Sequence, residues 1–272
     1  MNLRGLIVIF LFVFSTKCLA VGELNVVGAR AAGMAFSSVA LSDEWSAFNN
    51  PGGLAYARKF AAGIYFENRF LVKEISIKAL VVTIPAWKGT FGLILMQNGF
   101  SLYSEIKGGV TYGMSLGKHF SVGVQLNCLR ISQAEGYGNK NDFSFELGVQ
   151  YIASDHLTLG VHIINPIETR ISKNSPERLP AMIRLGLLWK ISEDLLTTIE
   201  TEKDLLHKPV LRTGIEYHLS KPLFARAGIA TNPTTFTFGA GLEIGAFRLD
   251  LASGYHLVLG YSPQASITYR FK

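Results

Sequence analysis

From Thr235 to Ile244 the chain alternates without a break: Thr235, Thr237, Gly239, Gly241 and Glu243 fall on one face, and Phe236, Phe238, Ala240, Leu242 and Ile244 on the other. A period of two sends successive side chains to opposite faces of a strand, so one face meets an apolar medium and the other something polar or cramped. The pattern returns in Phe143, Phe145, Leu147, Val149 and Tyr151 against Ser144, Glu146, Gly148 and Gln150. It returns again in Ile183, Leu185, Leu187 and Trp189, and in Leu211, Thr213, Ile215, Tyr217 and Leu219. Which apolar medium that face meets decides between a soluble fold and a membrane barrel.

Division at turn signals predicts strands starting near Phe60, Val72, Trp87, Leu102, Phe120, Asp142, Leu157, Ala181, Leu195, Val210, Leu223, Thr235, Phe247 and Gln264. An even count with both ends on one side suits a single-chain outer-membrane barrel. The connections agree. Tight ones are expected at Pro85-Ala86, Gly117-Lys118-His119, Ser154-Asp155, Ser192-Glu193-Asp194, Ser220-Lys221-Pro222 and Gly245-Ala246. Between them lie longer ones, at 135–141, 165–180, 203–209 and 255–263. Short periplasmic turns alternating with longer extracellular loops are a barrel property.

Aromatics strengthen the membrane reading. On the apolar parity Trp87, Phe120, Tyr151, Trp189, Tyr217, Phe247, Tyr269 and Phe271 all fall beside the short turns or the chain end. Rings at one level make an interfacial girdle among lipid headgroups. The final strand carries Tyr269 and Phe271, similar to the terminal aromatic insertion signal of bacterial outer-membrane proteins, although Lys272 trails it. The expected fold is all-β: one closed 14-stranded antiparallel transmembrane barrel with no edge strands.

The first twenty residues read as a secretory signal peptide. Arg4 precedes an apolar run from Gly5 to Phe14, followed by Ser15-Thr16-Lys17 and the small-residue site Cys18-Leu19-Ala20. The run is shorter than the ~20 residues of a spanning helix. Lys17 stands where a lipoprotein signal places a small residue, which disfavours lipidation of Cys18. Beyond residue 20 one cysteine remains, Cys128, so no intrachain disulfide is possible there, and its place after Val122, Val124 and Leu126 makes it an apolar filler. Charged residues are 17% of the chain and the +6 net charge is not gathered in a patch, which argues against nucleic acid.

The other face is rich in glycine: Gly92, Gly113, Gly123, Gly148, Gly160, Gly186, Gly214, Gly228, Gly239, Gly241 and Gly254. Glycine weakens a strand, so this points to backbone approached closely from within, or to sharp curvature. The same face is assigned Lys78, Glu146, Arg184, Lys190, Arg212, Glu216, Arg226, Glu243, Arg248, Asp250 and Arg270. Facing lipid, a basic residue at mid-membrane costs roughly 2–4 kcal/mol; facing inward, these charges pair across a salt-bridged interior or line a selective pore. Leu80, Val82, Ile94, Met96, Ile164 and Leu188 are its apolar members. The histidines show no metal-ligand spacing and no nucleophile is marked, so no enzyme, metal or cofactor is expected.

Residues 21–59 break the alternation, and the expected division is 1–20 signal peptide, 21–59 luminal segment and 60–272 barrel. Small residues dominate 28–35, Ser42-Asp43-Glu44 suits a helix start, and Asn50-Pro51-Gly52 is a turn signal. A fourteen-stranded barrel is too wide for its own side chains to close. The Gly28-x-Arg30-x-x-Gly33-Met34 opening, Asp43, and Asn50-Pro51-Gly52-Gly53-Leu54 before the first strand resemble the start of the FadL-like superfamily, and most nearly its PorV/PorQ branch, common in Bacteroidetes. Gly52 stands where alanine is commoner. The resemblance implies a hatch inside the barrel, held by Gly28, Arg30, Gly33, Asp43, Asn50 and Pro51.

Two functions follow from the resemblance. The PorV/PorQ side implies a non-catalytic subunit of type IX protein secretion or surface assembly, binding other outer-membrane proteins. The FadL side implies passive import of hydrophobic molecules, released sideways through the wall. The short chain, the polar 165–180 loop and the inward charges favour the accessory subunit, with the transporter as alternative. A general porin fits the hatch and the small size poorly. Leu257-Val258-Leu259 in the last long loop serve as a docking surface or as a lid over the barrel mouth.

Overall fold

The computed structural model describes residues 26–134, 138–166, 181–205 and 207–271. The expected signal peptide, Cys18 and most of the 165–180 loop lie outside them. Among the described residues fourteen strands close into one antiparallel barrel. They are β1 (Ala61–Asn68), β2 (Ser76–Ala86), β3 (Gly89–Gly99), β4 (Tyr103–Ser115), β5 (Phe120–Gln133), β6 (Gly138–Ile152) and β7 (Leu157–Ile164), then β8 (Met182–Lys190), β9 (Leu195–Asp204), β10 (Val210–Ser220), β11 (Leu223–Ala230), β12 (Thr235–Ile244), β13 (Phe247–His256) and β14 (Gly260–Arg270). Each strand pairs with its sequence neighbours, and β1 meets β14 from Ala61↔Arg270 to Glu67↔Gln264. Closure leaves no edge over that span. No described helix is long and apolar enough to cross a membrane.

The alternating faces separate as expected. Phe236, Phe238 and Ile244 point outward and are exposed, while Thr237 is buried inside. Trp87, Phe120, Tyr151, Trp189, Tyr217, Phe247 and Phe271 stand on the outer surface near the tight turns. Phe60 and Phe271 stack at 4.4 Å across the closing seam, and Phe247 meets Tyr269 at 4.7 Å. Cys128 is free and faces outward. The wall therefore carries an apolar outer band with an aromatic rim, as a barrel in lipid must.

Three strand starts differ from expectation, each for a physical reason. β2 begins at Ser76 rather than Val72 because 69–71 and 73–75 form 3-10 turns, and Phe70 N donates to Ser262 Oγ at 3.0 Å, folding this connection over β14. β6 begins at Gly138: its Asn- and Lys-rich start, read as loop, pairs with β5 down to Gln133↔Gly138. β14 begins at Gly260, with Pro263 inside the strand opposite Ser253. The β1 pairing ends at Gln264, so above it β14 is locally an edge, where proline is tolerated. The last connection is therefore 257–259, a tight turn and not the long loop expected at 255–263. Leu257, Val258 and Leu259 are exposed at its tip, with both Val258 N and Leu259 N donating to His256 Nδ1.

On β2 the assigned parity is reversed. Ile77, Ala79 and Val81 are buried inside, whereas Lys78, Leu80 and Val82 face outward. Both faces of this strand are apolar, one toward lipid and one toward the luminal segment, so alternation carried no sign of direction. Ile94, Met96, Ile164 and Leu188 do face inward.

Candidate functional site: a segment held inside the barrel

Residues 26–57 form an almost wholly buried segment with two short helices, α1 (Ala29–Ala32) and α2 (Ser46–Asn49), and a 3-10 turn at Gly53–Tyr56. Asp43 Oδ1 accepts from Trp45 N at 3.0 Å, and Asp43 N donates to Ser46 Oγ at 3.1 Å, which turns the chain into α2. Asn50 is extended (φ −169°) and ends that helix ahead of Pro51. The segment's polar backbone is satisfied by strands around the circumference. Ala29 N donates to Ser266 of β14, Ala35 N to Thr237 of β12, and Ser38 N and Val39 N both to Glu200 of β9. Gln150 of β6, Ser121 of β5, Thr111 of β4 and Thr90 of β3 donate to Leu41 O, Gly52 O, Ala47 O and Ala57 O. Contacts on so many sides place the segment within the lumen.

Glycine pairs make room for it. Gly113↔Gly123 and Gly123↔Gly148 align across β4, β5 and β6, Gly160↔Gly186 across β7 and β8, and Gly214↔Gly228 across β10 and β11. A Cβ on Gly123 would lie 2.2 Å from Pro51, one on Gly148 2.1 Å from Asn50 Oδ1, and one on Gly214 2.4 Å from Met34 Cβ. Segment backbone thus packs directly on strand backbone, and of the two readings of these glycines close approach is the one that applies.

Each residue of the N-terminal motif has a distinct place. Gly28 takes φ +109°, and a Cβ there would meet Trp45 Cγ at 2.9 Å. Gly33 packs against Gly239 and the stem of Arg226. Arg30 donates twice to Glu216 of β10, at 2.9 and 2.6 Å, and once to Asp43 at 3.1 Å. Burial alone would lower the Arg30 pKa, but the charges of Glu216 and Asp43 outweigh it and raise it. Asn50 Nδ2 donates to Val39 O and Val149 O, and its Oδ1 accepts from Gly52 N. Pro51 rests on the glycine row of β4 and β5.

The wall completes this arrangement with ion pairs. Glu216 also pairs with Arg226 at 2.6 Å, Arg226 with Asp250 at 2.9 Å, and Asp250 with Arg248 at 3.0 Å. Arg270 joins Glu44 of the segment to Glu243 of β12. Burial would raise the Glu44 pKa, yet the hydrogen bond and charge of Arg270 hold it below its ordinary value. Arg184 pairs with Glu200 at 2.7 Å and donates to Asn49 O at 2.9 Å. Higher on the wall Lys107 Nζ and His162 Nε2 flank Glu146 at 2.7 and 2.8 Å. These inward charges are thus paired, while Lys190, also on the inner face of β8, is exposed near its turn; no metal-binding group occurs among the described residues. Glu200, Arg184 and Gln150 hold the segment as closely as the motif does. Their inward parity among small polar neighbours was the available sign.

The polar lining is interrupted most extensively at β2 and β3, with a smaller apolar cluster of Leu188, Met34, Ala40 and Leu41 across the lumen. Ile77, Ala79 and Val81 of β2 and Ile94 and Met96 of β3 face inward and join Val27, Trp45, Phe48 and Leu54 of the segment in one apolar cluster. Trp45 meets Phe48 and Tyr65 within it, with ring centroids 6.2 and 6.1 Å apart.

Neither a protein-family model nor a curated protein matches the chain. Solved structures do. A Pseudomonas aeruginosa FadL homologue matches with a TM-score of 0.69 at 12% identity, over 91% of this chain and 99% of that one. The toluene transporter TodX of P. putida matches with 0.69 at 13%, over 92% and 99%, and the CymD monoaromatic hydrocarbon channel with 0.68 at 13%, over 92% and 98%. The protein is a closed fourteen-stranded barrel of the bacterial outer membrane. Its fold is similar to that of the FadL-type transporters, while the PorV/PorQ resemblance has no family model behind it.

Proposed function

We propose that the chain is a passive outer-membrane channel for small hydrophobic molecules, with residues 26–57 as its hatch. The observation that carries this reading is the apolar track on the inner wall of β2 and β3, leading down to Trp45 and Phe48. These side chains are buried against the segment, so an apolar solute reaches them only as the hatch shifts, and then gains about 25 cal/mol per Å² removed from water. Similarity in fold to channels for toluene and monoaromatic hydrocarbons supports it. The β2–β3 ladder runs unbroken from Ile77↔Asn98 to Ala86↔Gly89, so sideways release requires these strands to part locally.

The accessory-subunit reading rests on the motif resemblance, the short chain, the polar 165–180 loop and the inward charges, with the exposed 257–259 turn as its docking surface. One experiment separates the two. Purified protein is reconstituted in vesicles, and entry of N-phenylnaphthylamine is followed by fluorescence with toluene as competitor. Saturable, competable entry above that of empty vesicles is the expected result. No entry, together with stoichiometric recovery of secretion subunits from mild detergent, overturns the channel.

A further inference from the structure

Among the described residues the outward face of the fourteen strands carries three charged side chains, Lys78, Arg130 and Lys203, and no Asp or Glu. All three are basic, all are exposed, and all lie within the extracellular ends of their strands. Two of them belong to one cross-strand row. Lys78 pairs with Gln97, Gln97 with Ile106, Ile106 with Arg130, and Arg130 with Asn141. The next outward row toward the periplasm is Leu80, Leu95, Gly108, Cys128 and Phe143, with no polar side chain except the thiol. The row above, on β4, β5 and β6, is Ser104, Ser132 and Asn139.

The boundary between lipid tails and headgroups on β2–β6 therefore falls between two adjacent rows. On most other strands the extracellular end of the outer wall is apolar or aromatic, as at Ile183, Leu211, Phe236 and Tyr261, with Lys203 of β9 and Asn68 of β1 as exceptions. Among the described residues Lys78 and Arg130 make no ion pair, either with the interior network or on their own surface. Lys203 differs, because its Nζ donates to His207 O. Lys78 and Arg130 stand three strands apart, roughly 14 Å along the wall at ~4.8 Å per strand. Gln97 and Asn141 supply further donors in the same row, and arginine suits phosphate through its planar fork of donors.

We propose that the outer surface of β2–β6 binds a phosphorylated glycolipid of the outer leaflet. Lys78 and Arg130 take its phosphates, and the Leu80–Phe143 row takes its acyl chains. Charge complementarity selects an anionic headgroup, and the apolar row beneath selects a lipid over a free anion. The inference does not depend on what passes through the lumen.

The test uses the full chain in neutral detergent, with native mass spectrometry counting bound lipid A. The wild type is expected to retain bisphosphorylated lipid A roughly ten-fold more tightly than K78Q/R130Q, each single change losing a few-fold. Dephosphorylated lipid A is expected to bind both forms equally weakly, and K203Q to behave as wild type. Raised salt should weaken wild-type retention. Heat-modifiable gel mobility checks that each variant is folded, and K78R/R130K, which keeps both charges, should retain the lipid. Equal retention by wild type and K78Q/R130Q overturns the proposal. So does equal retention of lipid A with and without phosphates, or complete displacement by millimolar inorganic phosphate.

Discussion

Arg30 grips Glu216 with two parallel hydrogen bonds, 2.9 Å from Nε and 2.6 Å from Nη2, across 186 residues of sequence. That pair ties α1 to β10 and leads into the Arg226, Asp250 and Arg248 chain on the wall. Removing one partner of a buried pair leaves the other uncompensated, at a cost of about 3–5 kcal/mol. Arg30→Ala is expected to lie near the lower end, because Glu216 keeps Arg226. Amide hydrogen exchange over 29–36 is the measurement. Protection there should drop by two orders of magnitude or more while β4–β6 stay protected. Unchanged protection would mean that the glycine bed alone holds the segment.

The glycine bed has its own test. Gly123→Ala forces a methyl to within 2.2 Å of Pro51, whereas Gly254→Ala meets nothing nearer than 3.8 Å. Overpacking of this kind costs typically 1–3 kcal/mol. Gly123→Ala is expected to lower the urea midpoint measurably, and Gly254→Ala to leave it in place or raise it slightly. Similar midpoints for the two variants would refute a bed shaped around the segment.

Acid should loosen the segment through Glu44. Its carboxyl is held below the ordinary value of 4.5 by Arg270 in the folded protein, so the folded state binds that proton more weakly than the unfolded chain does. The stabilisation is complete above about pH 4.5 and disappears as pH falls through the depressed folded value. Protection of 43–50 is expected to fall as pH drops below about 4.5, and Glu44→Gln should be weaker at pH 7 and lose part of that pH dependence. A wild-type and variant pair with parallel pH curves would assign the acid sensitivity elsewhere.

Strand count, girdle and membrane face were legible because alternation and aromatic placement are local properties of Phe236, Trp189 or Tyr269. The inner glycines were legible as a set, but what approaches Gly123 or Gly214 depends on Pro51 and Met34, far away in sequence. β2 misled because Ile77 and Leu80 are both apolar while facing different media. Pro263 misled because a proline ends a strand only where both neighbours are paired, and at its level β1 has already stopped. Partners such as Glu200 for Ser38 and Val39 depend on closure of the barrel, which no local pattern encodes.

Tyr269 and Phe271 meet edge to face at 4.7 Å, and Phe271 stacks on Phe60 where the barrel closes. A terminal signal for insertion and a seam contact predict different outcomes. Tyr269→Ala/Phe271→Ala is expected to slow assembly several-fold in vesicles carrying the insertion machinery. Phe60→Ala, which removes the seam contact but leaves the last residues intact, should assemble at near the wild-type rate. Equal slowing by both would assign the effect to the seam.

The apolar track makes the sharpest demand on the proposed channel. Ile94 and Met96 of β3 are buried toward the lumen, yet Met96 pairs directly with Lys107 of β4, where the wall turns polar. Met96→Gln therefore widens the polar region by one strand while nearly preserving volume, and Lys107 Nζ, which keeps donors beyond the one given to Glu146, can partner the new amide oxygen. Burying an amide costs about 1–3 kcal/mol when it is left unpaired and less when it is not. The barrel should fold, by heat-modifiable mobility, and hold its segment, by unchanged exchange over 29–36. Entry of N-phenylnaphthylamine into vesicles is expected to fall several-fold. Leu129→Gln, on the inner face of β5 two strands from Met96 and outside the β2–β3 cluster, should leave entry near wild type. A solute route that ignored the β2–β3 wall would show the two variants alike, and the hydrophobic channel would then lose the observation on which it stands.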